Sequence, residues 1–344
     1  MTGAEVAEAP AREVGWWRPL FAAVALLVLP ATPIFPAPLP LEQSLVLVVP
    51  ILAVCAVAGW RAGGRLPLAI FWVVAAAWVL WVGSANGGSF SLLASGWAFV
   101  LAASFGSMLL IPVGASFLPK ALLALVATFL IGGLLVLLAP GGVSGTLDVL
   151  GAELSRRGEI WTAQWHRVTG SLEWQDVVRS NPDAGALSEL FDQRLAAMPG
   201  NGRLLASALL GLESLAAMAM AWALYHRVGR ARVGPPLARL RDLRFDDTLI
   251  WGVVAGLVIV VLPITGVVRI LGINLLVFFG ALYALRGLGV LVWFLGPSRW
   301  MTAFLVLFTV FFAYVVAAVA TFVGLGDTWF DWRRRPRQRS QRSE

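Results

Sequence analysis

Between Glu42 and Asp148 the chain has no acidic residue and only three basic ones, Arg61, Arg65 and Lys120. No water-soluble fold of that length tolerates so little charge, since soluble domains carry about 25% charged residues. The whole sequence is 59% hydrophobic and 13% charged. The expected fold class is all-α: a polytopic transmembrane helical bundle of eight or nine membrane segments with a polar, amphipathic-helical insert.

A helix rises about 1.5 Å per residue, so roughly 20 apolar residues cross a ~30 Å hydrocarbon core. After a polar N-terminus (1–18) that ends in Trp16, Trp17 and Arg18, runs of this kind fall at 19–35, 43–60, 66–83, 90–114 and 118–139. Prolines 30, 33, 36, 38 and 40 follow the first run and forbid a regular helix there. Residues 1 to 15 hold Glu5, Glu8 and Glu13 against Arg12, unlike the basic start of a signal peptide, so the first run reads as a retained helix. In 90–114, Ala94, Ala98, Ala102 and Gly106 recur every fourth residue and offer a face that another helix can approach closely.

Residues 140–202 break the pattern with five basic and eight acidic side chains. Trp161, Trp165 and Val168, and then Leu187, Leu190, Phe191 and Leu195, follow helical spacing, which predicts short amphipathic helices on the membrane surface or capping the bundle. Four further runs at 203–226, 248–268, 270–296 and 300–324 complete the membrane part, 203–324. Arginines 227, 230, 232, 239, 241 and 244 crowd the loop between the first two of these, and six more lie in residues 333–344 of the segment 325–344. Basic residues beside spans favour the cytoplasm, so the N-terminus, the 227–247 segment and the basic tail are all expected there. Single crossings by all three last runs would put the tail on the wrong side. One of them is therefore expected not to cross fully.

Arg286 is the only full charge in the 27 residues from Ile270 to Gly296. Insertion scales put a mid-membrane arginine at roughly +2.5 to +3.5 kcal/mol, so it needs a partner or a cavity. The opposite charge in a similar position is Glu213. Two readings stand side by side. In one, Glu213 and Arg286, with Ser214, Asn274 and Tyr283, line a polar cavity that binds a small solute or relays a proton. In the other, Glu213 and Arg286 form a buried pair that fixes helix register. Beyond the last run, Asp327, Trp329, Asp331 and Arg333 form a membrane-interface motif of carboxylates, aromatics and arginine.

Two patterns, Gly272-Ile-Asn274 followed by Tyr283-Ala-Leu-Arg286-Gly287-Leu-Gly289, and Leu325-Gly326-Asp327-Thr-Trp329-Phe330-Asp331-Trp-Arg333, resemble the YybS-like family of bacterial integral membrane proteins. Pro38-Leu-Pro40 is a weaker match. That family is similar in helix arrangement to the substrate-binding S components of energy-coupling-factor vitamin transporters. The resemblance implies a helical bundle with a small-molecule pocket, but a fold does not fix a function. Glutamine is common in the family where this chain has Arg286.

No catalytic constellation is visible. The two histidines, His166 and His226, have no cysteine or acid beside them at ligand spacing, so no metal is expected. There is no phosphate-cradling GxxxxGK[ST] loop, no nucleophile elbow and no Ser-x-x-Lys pair. The single cysteine, Cys55, excludes an intrachain disulfide. The expected function is that of a solute-binding or transport component, or alternatively a non-catalytic scaffold or assembly factor acting through the insert and the tail. It is not expected to be an enzyme or to need a cofactor. Membrane lipids and a protein docking at 227–247 are the expected partners, and nucleic acid is not.

Overall fold

The computed structural model describes residues 41–86, 88–110, 116–139, 141–263, 265–296 and 299–333. The expected first span and its prolines, the polar N-terminus and the tail past Arg333 lie outside them. Among the described residues every regular element is helical: α1 (Leu41–Arg61), α2 (Leu66–Asn86), α3 (Ser89–Leu110), α4 (Phe117–Leu138), α5 (Gly142–Thr169), α6 (Leu172–Ser180), α7 (Pro182–Val228), α8 (Ile250–Val261), α9 (Val267–Leu295), α10 (Arg299–Phe311) and α11 (Ala313–Phe330). Six stretches of the described residues are long and apolar enough to cross a membrane: Leu66–Ala85, Ser89–Leu110, Phe117–Leu138, Pro199–Val228, Val267–Leu295 and Ala313–Phe330. Many of their apolar side chains face outward. On α2, Phe71, Val74, Trp78 and Trp81 are each more than 60% exposed, an arrangement that water would penalise and a bilayer does not.

The main core lies where α1, α3 and α4 meet the second half of α7. Trp222 is fully buried against the rings of Phe105 and Phe117, with Ile51, Cys55, Leu101 and Met218 around them. The small-residue face of α3 is part of this contact: Ala98 and Ala102 are buried, and a Cβ on Gly106 would run into Val54 of α1.

The polar region differs from expectation in two ways. First, α5 is not short, at 28 residues. Second, no boundary separates the polar region from the next span, because α7 runs unbroken for 47 residues through Pro199. At 1.5 Å per residue that is about 70 Å, well beyond a bilayer of ~45 Å including headgroups, so part of α7 stands in water. Residues 182–198 precede the apolar stretch, and α5 packs antiparallel to α7: Gly158 lies against Pro199, Leu154 against Gly202 and Gly151 against Arg203. Trp165 of α5 packs against Phe191 of α7 with the rings tilted, 4.4 Å between centroids, and meets Trp174 of α6 at 5.9 Å. The three elements form one arm.

The last runs are also redrawn. The run 248–268 yields only the 12-residue α8, and the run 300–324 is divided at Phe312, where φ is −112° and ψ is 32°. Residues 229–247 form no long helix but are fastened to the end of α7. Tyr225 Oη donates to Ala231 O (2.8 Å), Trp222 Nε1 donates to Pro235 O (3.1 Å), and the His226 ring lies 2.9 Å from Gly234 O.

Candidate functional site: a buried charge cluster

Arg286 projects from α9 where that helix crosses α11 at glycines. A Cβ on Gly287 would strike Ala320 O, and one on Gly324 would strike Tyr283 O, so the backbones touch. This approach lets the arginine reach across. Its Nε donates to Asp327 Oδ2 at 3.0 Å, and its Nη1 donates to Asp247 Oδ1 at 2.7 Å. Arg286 is 5% exposed and Asp327 1%, whereas the Asp247 side chain is 60% exposed.

Asp327 holds a second cation. Arg333 Nη2 donates to the same Oδ2 at 2.6 Å, while its Nη1 donates to Arg241 O (3.1 Å) and Leu243 O (3.0 Å). Asp331, which ends α11 in a left-handed conformation, pairs with Arg244 at 3.3 Å. Phe245 lies 5.4 Å below the Arg286 guanidinium and edge-on to Tyr283 at 5.2 Å. Charged contacts of this kind hold the 229–247 segment, α9 and the end of α11 together. Three buried polar atoms here, Asp327 Oδ1, Arg333 Nε and Tyr283 Oη, have no hydrogen-bond partner among the described residues.

The five residues expected to line one polar cavity are distributed over separate contacts. Arg286 and Tyr283 belong to this cluster, but the carboxylates on Arg286 are Asp327 and Asp247 rather than Glu213. Asn274 is spent on α7: its Nδ2 donates to Leu204 O (2.7 Å) and its Oδ1 accepts from Ala208 N–H (2.8 Å). Those two backbone groups stand at helical i, i+4 spacing, so the carboxamide inserts into the ladder of α7. Ser214 is fully buried and accepts from Trp97 Nε1 of α3 at 3.0 Å. Glu213 lies half-buried, within electrostatic reach of Arg157 on α5. Arg157 in turn is buried, donates to Glu153 at 2.7 Å and sits 4.9 Å over Phe90. The hydrogen bond from Arg156, and then Arg157 itself, hold the Glu153 carboxyl below its usual range.

Of the interface motif, Trp329 is 69% exposed, and Phe330 beside it stacks on Trp332. Asp327 and Arg333 instead turn inward. A sequence signal for this exists in the mirrored pair Arg286-Gly-Leu-Gly289 and Gly324-Leu-Gly-Asp327: each places a charge beside a Gly-x-Gly that permits close helix contact. Among the described residues no group of three His, Cys, Asp or Glu side chains could hold a metal ion. Comparison with family models, curated proteins and solved structures gives no match for this chain.

Proposed function

We propose that this chain is a non-catalytic, multi-pass protein of a bacterial inner membrane, with eight or nine membrane segments, that holds other proteins at the bilayer through the arm of α5, α6 and the start of α7. One observation carries this reading. Past its contacts with Phe90 and with Pro199, Gly202 and Arg203, the arm exposes large apolar side chains: Leu172 at 77%, Leu190 at 52%, Val168 at 47% and Ile160 at 44%. Such groups in water favour a protein partner. A shallow open cavity of about 430 Å³, bordered by Thr169, Trp174, Gln175, Val178 and Glu189, lies on the same arm. The charge cluster, in this reading, is a structural fastening.

A solute-binding role is the second reading, favoured by the spare hydrogen-bonding capacity of Asp327 Oδ1, Arg333 Nε and Tyr283 Oη. Native mass spectrometry of the detergent-extracted protein separates the two. A protein-sized adduct lost in Leu172→Ser/Leu190→Ser and kept in Tyr283→Phe supports the scaffold. A small-molecule adduct lost in Tyr283→Phe and kept in the arm variant overturns it in favour of solute binding.

A further inference from the structure

We propose that the cationic half of the loop between α7 and α8 is a binding site for the phosphodiester headgroup of an anionic membrane lipid. The loop divides by charge. From Arg227 to Arg241 it holds five arginines and no carboxylate, and from Asp242 to Asp247 it holds three aspartates and Arg244. The fold uses the acidic half: Asp247 goes to Arg286, Asp246 Oδ1 accepts from Thr248 N–H at 2.8 Å, and Asp242 faces Arg241 at 3.4 Å. Arg230 and Arg239 are left over. Both are exposed, and neither has an ion-pair partner among the described residues.

The occupant follows from how the loop is held. Its backbone is tied to α7 through Ala231, Gly234 and Pro235 and to Arg333 through Arg241 and Leu243, so it cannot reach far into water towards a nucleic acid or a soluble acidic protein. Arg230 follows the apolar stretch Pro199–Val228 by two residues, and the loop ends at α8, whose Trp251 is 69% exposed. Arginine just past one apolar helix and tryptophan at the start of the next are both residues of headgroup depth. Phosphate groups are dense there, and each nearby arginine strengthens binding to an anionic surface by about fivefold. A guanidinium fork matches phosphate oxygens bidentately, which an ammonium does not.

The test is native mass spectrometry of the full chain in detergent, titrated with phosphatidylglycerol or with phosphatidylcholine of the same acyl chains. Wild type is expected to retain at least about fivefold more phosphatidylglycerol. Arg230→Gln/Arg239→Gln is expected to lower that to the phosphatidylcholine level with an unchanged melting curve. Arg179→Gln, on the arm, leaves it intact. Arg230→Lys/Arg239→Lys keeps part of the preference and guards against misfolding as the cause of loss. Equal retention of the two lipids, or no effect of the Gln pair, overturns the proposal. Displacement of phosphatidylglycerol by millimolar inorganic phosphate that itself stays bound assigns the site to a soluble anion and overturns the lipid source. Protein or nucleic-acid adducts lost with the same Gln pair, without lipid preference, also overturn it.

Discussion

Asp327 is one carboxylate shared by two guanidiniums in a site that is 1% exposed. Removing its charge leaves Arg286 and Arg333 facing each other, and breaking a buried ion pair in this way costs about 3–5 kcal/mol. Asp327→Asn is therefore expected to be the most destabilising single change in the cluster, read as a fall in melting temperature in detergent. Arg333→Gln should cost less, because the Arg286–Asp327 pair survives it. Equal losses would show that the two arginines are not interchangeable claims on one acid. Asn274 supplies a contrasting case. Asn274→Leu frees Leu204 O and Ala208 N–H to bond each other along α7, so it should cost only about 0.6–1.7 kcal/mol. Asn274→Asp should cost more, since an acceptor then faces Leu204 O. That Arg286 needs a buried partner is legible from its position alone. That the partner is Asp327 is not, because 41 residues separate them and only the Gly-x-Gly beside each hints that their helices touch.

At the scale of elements, the apolar runs at 66–83, 118–139 and 270–296 locate α2, α4 and α9 to within a few residues, because hydropathy alone defines a span. It defines nothing where a helix leaves the bilayer. The unity of α7 is hidden by its switch from polar to apolar residues at Pro199, which marks a helix end in most contexts yet is accommodated here. The break at Phe312 carries no proline or glycine to signal it. Gly287 and Gly324 set the spacing of α9 and α11, so Gly324→Val should force them apart, cost about 1–3 kcal/mol as overpacking and loosen the Arg286–Asp327 pair. Increased proteolysis after residue 330 is the accompanying readout. In the arm, the Glu153 carboxyl is held below its ordinary value of 4.5. Its contribution is thus present above that pH and lost as pH falls through the lowered native value. Protection of the α5 amides from exchange should weaken as pH falls below 4.5 and lose this dependence in Glu153→Gln.

For the molecule as a whole, the decisive contact is the one between the two ends of its last third. Arg333 donates to the carbonyls of Arg241 and Leu243, so these residues sit at one depth on one side of the membrane. The chain between them must then cross an even number of times. Three single crossings by 248–268, 270–296 and 300–324 are odd, and α8, about 18 Å long, is too short to span by itself a ~30 Å core. The stretch Pro199–Val228, by contrast, is long and apolar enough to cross, and we propose that it separates the arm from the 229–247 segment by one crossing. Single cysteines at Arg239, Trp332 and Leu172 turn this into a measurement, since the native Cys55 is fully buried and stays silent to a membrane-impermeant thiol reagent. Positions 239 and 332 should label from the same face in oriented vesicles and position 172 from the other. Labelling of 239 and 332 from opposite faces would break the Arg333 tie, and with it the charge cluster as the fastening of this bundle. Labelling of 172 from the face of 239 would mean that α7 does not cross, and the arm would then share a compartment with the arginine-rich loop.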